Sequence, residues 1–210
     1  ERSIVEQNLD GGCAPEIGDA RDYIRILDRN GFFETTILSE DDQKRNEMYR
    51  ANADRKKSLH AFTDYHAYLE SLQMKGTILP FDEMSLNRVA QLSNKSNQFN
   101  LTTKRYTRDE MEMRAKDENY ITLYGKLEDK FGDNGIVSVV IGKRVKEECH
   151  IELWIMSCRV LKRDMEYAML DTLIETCQNK GIKKIRGFYY PTAKNAMVKD
   201  FYGKMGFSQV

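Results

Sequence analysis

Apolar residues in the first third of the chain recur at spacings of three and four, the period of helices that bury one face. Asp19 is placed to cap a helix carrying Tyr23, Ile24 and Leu27 on one side, and Asn30-Gly31 is a stop signal. Ser39 opens a second helix, with Asp42 at its third position in a capping-box-like pattern, and this helix is rich in Lys and Arg up to Lys57. A third carries Phe62, Tyr65, Leu69 and Leu72 and ends at Lys75-Gly76. Residues 1–76 therefore read as a helical segment with no strand.

Residues 77–210 change to a mixed pattern. A short strand, Thr77–Leu79, precedes Pro80; Glu83–Ser93 is helical with Leu86, Val89 and Ala90 inward; Thr107 caps a helix to about Ala115. Between those helices Asn97–Thr103 is polar, a loop or a briefly extended stretch. Three strands follow in succession: Tyr120–Leu127, Ile136–Ile141 and Cys149–Met156, the last with Ile151, Leu153 and Ile155 on one face. Asp133-Asn134-Gly135 is a hairpin signal between the first two, and Lys146-Glu147-Glu148 turns between the second and third. A long helix from Arg163 to Gln178 ends at Gly181. Ile185–Tyr189 is the next strand, Asn195–Lys204 a short helix, and Phe207–Val210 the start of a last strand. The expected fold class is α/β: a mixed, mostly antiparallel sheet flanked by helices, preceded by a helical N-terminal extension.

Composition narrows the functions. Of 210 residues 40% are apolar, enough for a substantial core. Lys plus Arg and Asp plus Glu number 33 each, so the net charge is zero and neither a nucleic acid nor a membrane surface is the expected partner. No apolar run approaches the roughly 18 residues of a spanning helix. Cys13, Cys149, Cys158 and Cys177 are scattered without a CxxC, which reads as reduced thiols in a cytoplasmic protein. His60, His66 and His150 lie far from any cysteine pair, so no metal site is expected. An opening on Glu1-Arg2-Ser3, with no Met, reads as a start inside a longer protein.

The element order, with the run Asn195-Ala196-Met197-Val198-Lys199-Asp200-Phe201-Tyr202-Gly203-Lys204-Met205-Gly206-Phe207, resembles the GNAT acyltransferases and their "N…a…fYeklGF" motif. The resemblance implies a GNAT-like domain over residues 77–210, with Asn195 and Tyr202 near the thiol end of a coenzyme A cofactor. Phe201, Tyr202 and Phe207 are equally readable as core aromatics. Such enzymes hold pyrophosphate at the N-terminus of the long helix, on a Q/R-x-x-G-x-G/A loop whose glycines admit the phosphate to the backbone. Here the loop reads Arg159-Val160-Leu161-Lys162-Arg163-Asp164-Met165-Glu166. Register set by Met169, Leu170 and Leu173 puts Asp164 and Glu166 at the glycine positions. Like charges ~4 Å apart repel by ~1 kcal/mol in water and more in a partly dry loop. Lys162 and Arg163 offset part of this, and Arg163 is the cofactor-binding candidate beside Asn195.

A second resemblance is longer. Arg88–Thr107 is similar to the "RiaQLtqKTNQFNLTTrRYt" signature of FkbH-like proteins; Phe33-Glu34, Asp41-Asp42, Arg45, Tyr49-Arg50-Ala51-Asn52 and Arg55 resemble their "FE…eD…R…YRan…R" stretch, and Ser157–Leu161 their "SCRVLgRgvE". That family usually has Gly at the positions of Lys162 and Asp164. FkbH-like proteins belong to the HAD superfamily (subfamily IIIC); the better-known members transfer a glyceryl unit from a phosphorylated donor to an acyl carrier protein. The resemblance implies an upstream HAD domain in cis, of which Glu1-Arg2 resembles the final "DDnpxER", and an acyl carrier protein as partner. The chain has no DxDxT or DxDxS, so Mg²⁺ and phosphatase chemistry would belong to that upstream domain alone.

Several side chains are candidates for chemistry. Glu152 and His150 share a strand face and suit a general base, or form the polar side of the sheet; Tyr202 is the other catalytic candidate. Trp154 packs, or lines an acyl groove. Asn97, Gln98, Asn100, Thr102 and Thr103 either satisfy one another in a rigid loop or line a polar substrate pocket. Arg105 binds a carboxylate or phosphate, or pairs with Asp109. Three functions stay open: a GNAT-like domain supporting glyceryl transfer to an acyl carrier protein, whose phosphopantetheine arm needs no pyrophosphate loop; an acyl-CoA-dependent N- or O-acyltransferase; and a structural interaction module. The basic helix Gln43–Lys57 would meet an acidic carrier, or is a solvated face.

Overall fold

The computed structural model describes residues 15–16, 18–31 and 45–209. The signatures at Glu1-Arg2, Phe33-Glu34 and Asp41-Asp42, the cap at Ser39 and Cys13 lie outside them. The chain divides into two compact units, Glu1–Asn46 and Glu47–Val210. In the first, the Asp19 carboxylate accepts the Arg21 N–H at 2.9 Å and starts a 3₁₀ turn, Ala20–Asp22, that runs into α1, Tyr23–Arg29. Asn30 and left-handed Gly31 end it, and none of its residues is buried.

The second unit begins within α2 (Arg45–Leu59), and α3 (Tyr65–Ser71) then precedes β1 (Lys75–Pro80). Then come α4 (Glu83–Lys95), α5 (Arg108–Lys116), β2 (Tyr120–Asp129), β3 (Gly132–Val145), β4 (Glu148–Met156), α6 (Met165–Asn179), β5 (Lys184–Arg186) and the single turn α7 (Phe201–Lys204). The strands form one sheet in chain order, antiparallel except for the parallel β4–β5 pair. Local chemistry fixes the helix starts. Asp82 and Ser85 form a capping box on α4, and Thr107 and Glu110 another on α5.

Alternating strand residues feed two cores. Ile121, Leu123, Val137, Val140, Ile151 and Trp154 pack with Met165, Met169 and Leu173 of α6. Tyr124, Val139, Ile141, Leu153 and Ile155 pack with Leu86 and Val89 of α4 and Met111 of α5. A β-carbon on Gly125 would lie 2.1 Å from Met165 and 2.8 Å from Met169, so α6 rests directly on the β2 backbone. A third cluster, Tyr68, Leu69 and Leu72, holds α3.

Five expectations change. Asp133-Asn134-Gly135 is not the hairpin tip. Asp129 pairs with Gly132, so the turn is Lys130-Phe131, closed by the Phe131 N–H on Asp129 Oδ1 at 2.9 Å. The Asn-Gly pair instead makes a bulge opposite Leu127, with Gly135 left-handed and Asn134 Nδ2 donating to the Leu127 carbonyl. A further bulge falls on β4, where Ile141 pairs with Leu153 but Gly142 with Ile151, leaving Glu152 as the extra residue. The bulge moves Ile151 to the α6 face and leaves Leu153 and Ile155 on the other, so these three do not share a face. The strand expected over Ile185–Tyr189 stops at Arg186, and Asn195–Lys204 is a 3₁₀ turn, Ala196–Val198, followed by α7. Phe207–Ser208–Gln209 is not in a strand.

Candidate functional site

β4 and the chain after β5 diverge beyond Arg186, which opens a gap in the sheet between Trp154–Met156 and residues 187–190. The polar run fills that gap. Leu101 N donates to the Trp154 carbonyl at 3.2 Å, and Met156 N donates to the Phe99 carbonyl at 3.1 Å. Asn100 bridges Ile155 of β4 in antiparallel sense, and on the far side Tyr190 N donates to the Leu101 carbonyl at 2.9 Å. Residues 99–101 thus act as an inserted strand, using the backbone groups of β4 that face away from β3. Phe99 and Leu101 enter the α6-side core.

The side chains of this run serve the chain itself. Asn100 is buried; its Oδ1 accepts from Thr103 N at 2.9 Å and its Nδ2 donates to the Lys104 carbonyl at 3.3 Å. Thr102 Oγ1 donates to the bulge carbonyl of Glu152 at 2.7 Å. Asn97 and Gln98 are exposed, and Asn97 Oδ1 accepts from Arg105. Arg105 does not pair with Asp109, whose ion-pair partner is Arg108; its guanidinium donates to the Ser93 and Asn94 carbonyls at the end of α4. Asn195 is fully buried behind the insert, with Nδ2 donating to the Asn100 and Tyr190 carbonyls at 2.9 and 3.0 Å.

The candidate catalytic groups are dispersed. Glu152 projects toward Tyr106, whose hydroxyl donates to it at 3.4 Å, with Lys104 at 3.7 Å and Arg114 at 3.9 Å. Burial and then the Glu152 charge push the Tyr106 hydroxyl up to about 12. His150 pairs with Glu148 at 3.0 Å rather than with Glu152. Trp154 is fully buried against Phe201 and Tyr202, ring centroids 4.8 and 6.5 Å away, and its indole N–H has no partner. The Tyr202 hydroxyl is buried without a hydrogen-bond partner, the Phe188 amide being the polar group that faces it, and burial raises its pKa strongly. A β-carbon on Gly187 would sit 2.3 Å from the Tyr202 ring, so the ring lies flat on that backbone.

The loop before α6 keeps a glycine-like backbone without glycine. Lys162 and Asp164 have φ of 64° and 61°. These, not Asp164 and Glu166, are the left-handed positions, because Glu166 already lies in the first turn of α6. Each L-residue there costs roughly 1–2 kcal/mol. Tyr65 of α3 also donates its hydroxyl to the Lys162 carbonyl at 2.7 Å. Burial and then the Asp164 charge raise the Glu166 carboxyl, one oxygen of which is buried without a partner. Lys162→Gly and Asp164→Gly are each expected to raise stability by about 0.5–1 kcal/mol, the relief of strain less the entropy glycine adds to the unfolded chain. Asp164→Gly should gain more, because it also removes a charge beside Glu166; urea midpoints that fall in both variants would refute the strain.

Arg163 does not point at the helix terminus. It donates to Asp129 Oδ2 at 3.0 Å, beside Arg55, which clasps the same carboxylate through two bonds of 2.7 Å. All three side chains are at most 10% exposed. No local pattern marks Asp129 as the centre of this cluster. Arg55 is therefore absent from the basic face of α2, and Lys57 is paired with Asp54 at 3.6 Å. Among the described residues no three His, Cys, Asp or Glu side chains gather as metal ligands, and no helix is long and apolar enough to cross a membrane.

No protein-family model matches the chain, and neither does any curated protein. Solved structures do. The ribosomal-protein-alanine N-acetyltransferase of Brucella melitensis biovar Abortus 2308 is 13% identical, with a TM-score of 0.51 over 64% of this chain and 93% of that one. A GNAT-family acetyltransferase of Staphylococcus aureus Mu50 is 12% identical, with a TM-score of 0.50 over 65% and 86%. AAC(6')-Iy, in complex with the bisubstrate analogue CoA-S-monomethyl-acetylneamine, is 10% identical, with a TM-score of 0.50 over 64% and 92%. At these identities the likeness is one of architecture, and it establishes that the mixed sheet and its flanking helices have the GNAT acetyltransferase fold.

Proposed function

We propose that this GNAT-fold domain binds no acyl-CoA in its sheet cleft and serves as the auxiliary domain of an FkbH-like protein. An upstream HAD domain in cis would carry the Mg²⁺-dependent chemistry, and this domain would support transfer of a glyceryl-type unit to an acyl carrier protein. The observation that carries the reading is the insertion of residues 99–101 between β4 and residues 188–190, which fills the gap in the sheet with the chain's own backbone. The residues before α6 do not fit a pyrophosphate either: Lys162 and Asp164 stand at the left-handed positions, Tyr65 bonds the Lys162 carbonyl and Arg163 is turned onto Asp129. The signature from Arg88 to Thr107 supports the FkbH-like parentage, because its Ser93, Asn94, Asn97 and Arg105 build the anchor of the inserted strand.

Titration of the chain with acetyl-CoA to about 1 mM, which detects binding worth about 4 kcal/mol, is expected to release no heat. Holo-acyl carrier protein is expected to shift backbone amide resonances where acetyl-CoA does not. The second reading, an acyl-CoA-dependent N- or O-acyltransferase, is favoured by the fold it shares with AAC(6')-Iy and its CoA-bearing ligand. Saturable acetyl-CoA binding, with turnover lost in Tyr202→Phe, would replace the proposal with it. Binding of neither ligand would leave a structural interaction module.

A further inference from the structure

A second concavity lies at the other end of the β4–β5 pair from the inserted strand. It is an open groove of 740 Å³, within the size of sites that take small organic ligands. Val145 and Phe188 supply its apolar wall, and the His150 ring meets Phe188 edge-on at 5.5 Å. Four cations, Lys146, Lys183, Lys184 and Arg186, line it against two carboxylates, Glu147 and Glu148.

Both carboxylates are already engaged. Glu147 pairs with Lys183 at 2.8 Å; Glu148 is held by Arg186 through bonds of 3.1 and 3.2 Å and by His150 at 3.0 Å. Arg186, then His150, hold the Glu148 carboxyl at about 2, so it offers no proton to a ligand at neutral pH. Lys146 and Lys184 are exposed and have no ion-pair partner among the described residues. The segments that carry them are tied together, Lys183 N donating to the Glu147 carbonyl at 2.8 Å and Lys184 N at 3.3 Å. Arg144 Nε fixes the turn from outside through the Lys146 carbonyl at 3.2 Å. A ligand that uses both amines therefore does not have to order the two loops, which favours binding.

We propose that this groove binds a small organic anion, a carboxylate or phosphate on an aromatic or apolar body, paired to Lys146 and Lys184 and packed on Phe188. Apart from Phe188, which borders both, the groove shares no lining residue with the filled sheet cleft, so the inference stands apart from the proposed function. Phenyl phosphate and phenylacetate, titrated into the ¹⁵N-labelled chain, separate phosphate from carboxylate preference, and inorganic phosphate is the bodiless control. At least one aryl anion is expected to move the amides of residues 145–150 and 183–188 saturably, with a Kd at or below about 1 mM. Lys146→Asn with Lys184→Gln should weaken that binding roughly tenfold or more; Asn is chosen because it tolerates the left-handed backbone of Lys146. Lys126→Gln, on the exposed side of β2, should leave it unchanged. Three results would each overturn the assignment: no saturable shift with either aryl anion, equal binding of inorganic phosphate, or full binding in the double variant.

Discussion

Asp129→Ala is expected to lower the free energy of unfolding by about 3–5 kcal/mol, the cost of breaking a buried pair by removing one partner. Among the described residues the carboxylate is the only anion paired with Arg55 and Arg163; its side chain is fully buried, and theirs are 4% and 10% exposed. Removing it leaves two guanidiniums facing each other with nothing to neutralise them. Burial and then Arg55 already lower the Arg163 pKa while Asp129 is present. The same substitution frees the Phe131 N–H that closes the β2–β3 turn. Urea midpoints at constant m-value measure the loss. Lys57→Ala, which breaks only the exposed pair with Asp54, is the control and should cost at most about 1 kcal/mol. A loss for Asp129→Ala no larger than the control's would mean that solvent reaches the cluster.

The acid limb of the stability profile tests the same carboxylate. Burial works to raise the Asp129 pKa, but the bonds from Arg55 and the Phe131 amide, with the charges of Arg55 and Arg163, leave it below the ordinary value. A depressed carboxyl stabilises the fold at pH above its unfolded pKa, and the contribution disappears as pH falls through the folded one. Asp129→Asn should therefore flatten the decline of stability below about pH 4, the region of unperturbed Asp ionisation, while lowering the plateau at neutral pH.

How far the sequence could reveal this molecule depended on the range of each signal. The order of helices and strands was legible because burial imposes a local period, and the caps at Asp19 and Thr107 stand where side-chain chemistry demands them. Bulges defeated the same logic. One extra residue at Glu152 reverses which face Ile151 shares with Leu153, and no local composition marks it. Asn134-Gly135 carries the residues of a tight hairpin yet sits in a bulge, since both need a left-handed glycine. The inserted strand did leave a trace: Phe99-Asn100-Leu101-Thr102 alternates apolar and polar, the period of a strand, with the apolar pair in the α6-side core. Its partners, Trp154 and Tyr190, are too distant in the chain for that trace to show where it docks. Arg55 and Asp129, 74 positions apart, are invisible as a pair for the same reason.

Asn195→Ala is expected to detach the inserted strand from the sheet at a cost of roughly 2–4 kcal/mol, because it strands several buried polar groups at once. Asn195 is fully buried, and its amide joins three backbone positions: the Asn100 carbonyl at 2.9 Å, the Tyr190 carbonyl at 3.0 Å and the Thr192 N–H at 2.7 Å. Alanine satisfies none of them and leaves a gap too small to supply all three with water. The loss should be local in hydrogen exchange. Leu101, Met156 and Tyr190 amides, which stitch residues 99–101 to both neighbours, should lose protection together, while amides of the β2–β3 ladder keep theirs. Asn195→Asp separates packing from bonding, since it keeps the size and the acceptor for Thr192 but sets a carboxylate against two carbonyls, and it should be at least as damaging as alanine. If both variants left the three amides protected, the inserted strand would be held by Phe99 and Leu101 in the core alone. The asparagine that the acyltransferase motif places near a cofactor thiol would then be free for another task. If protection is lost, the same residue is what keeps the sheet cleft shut.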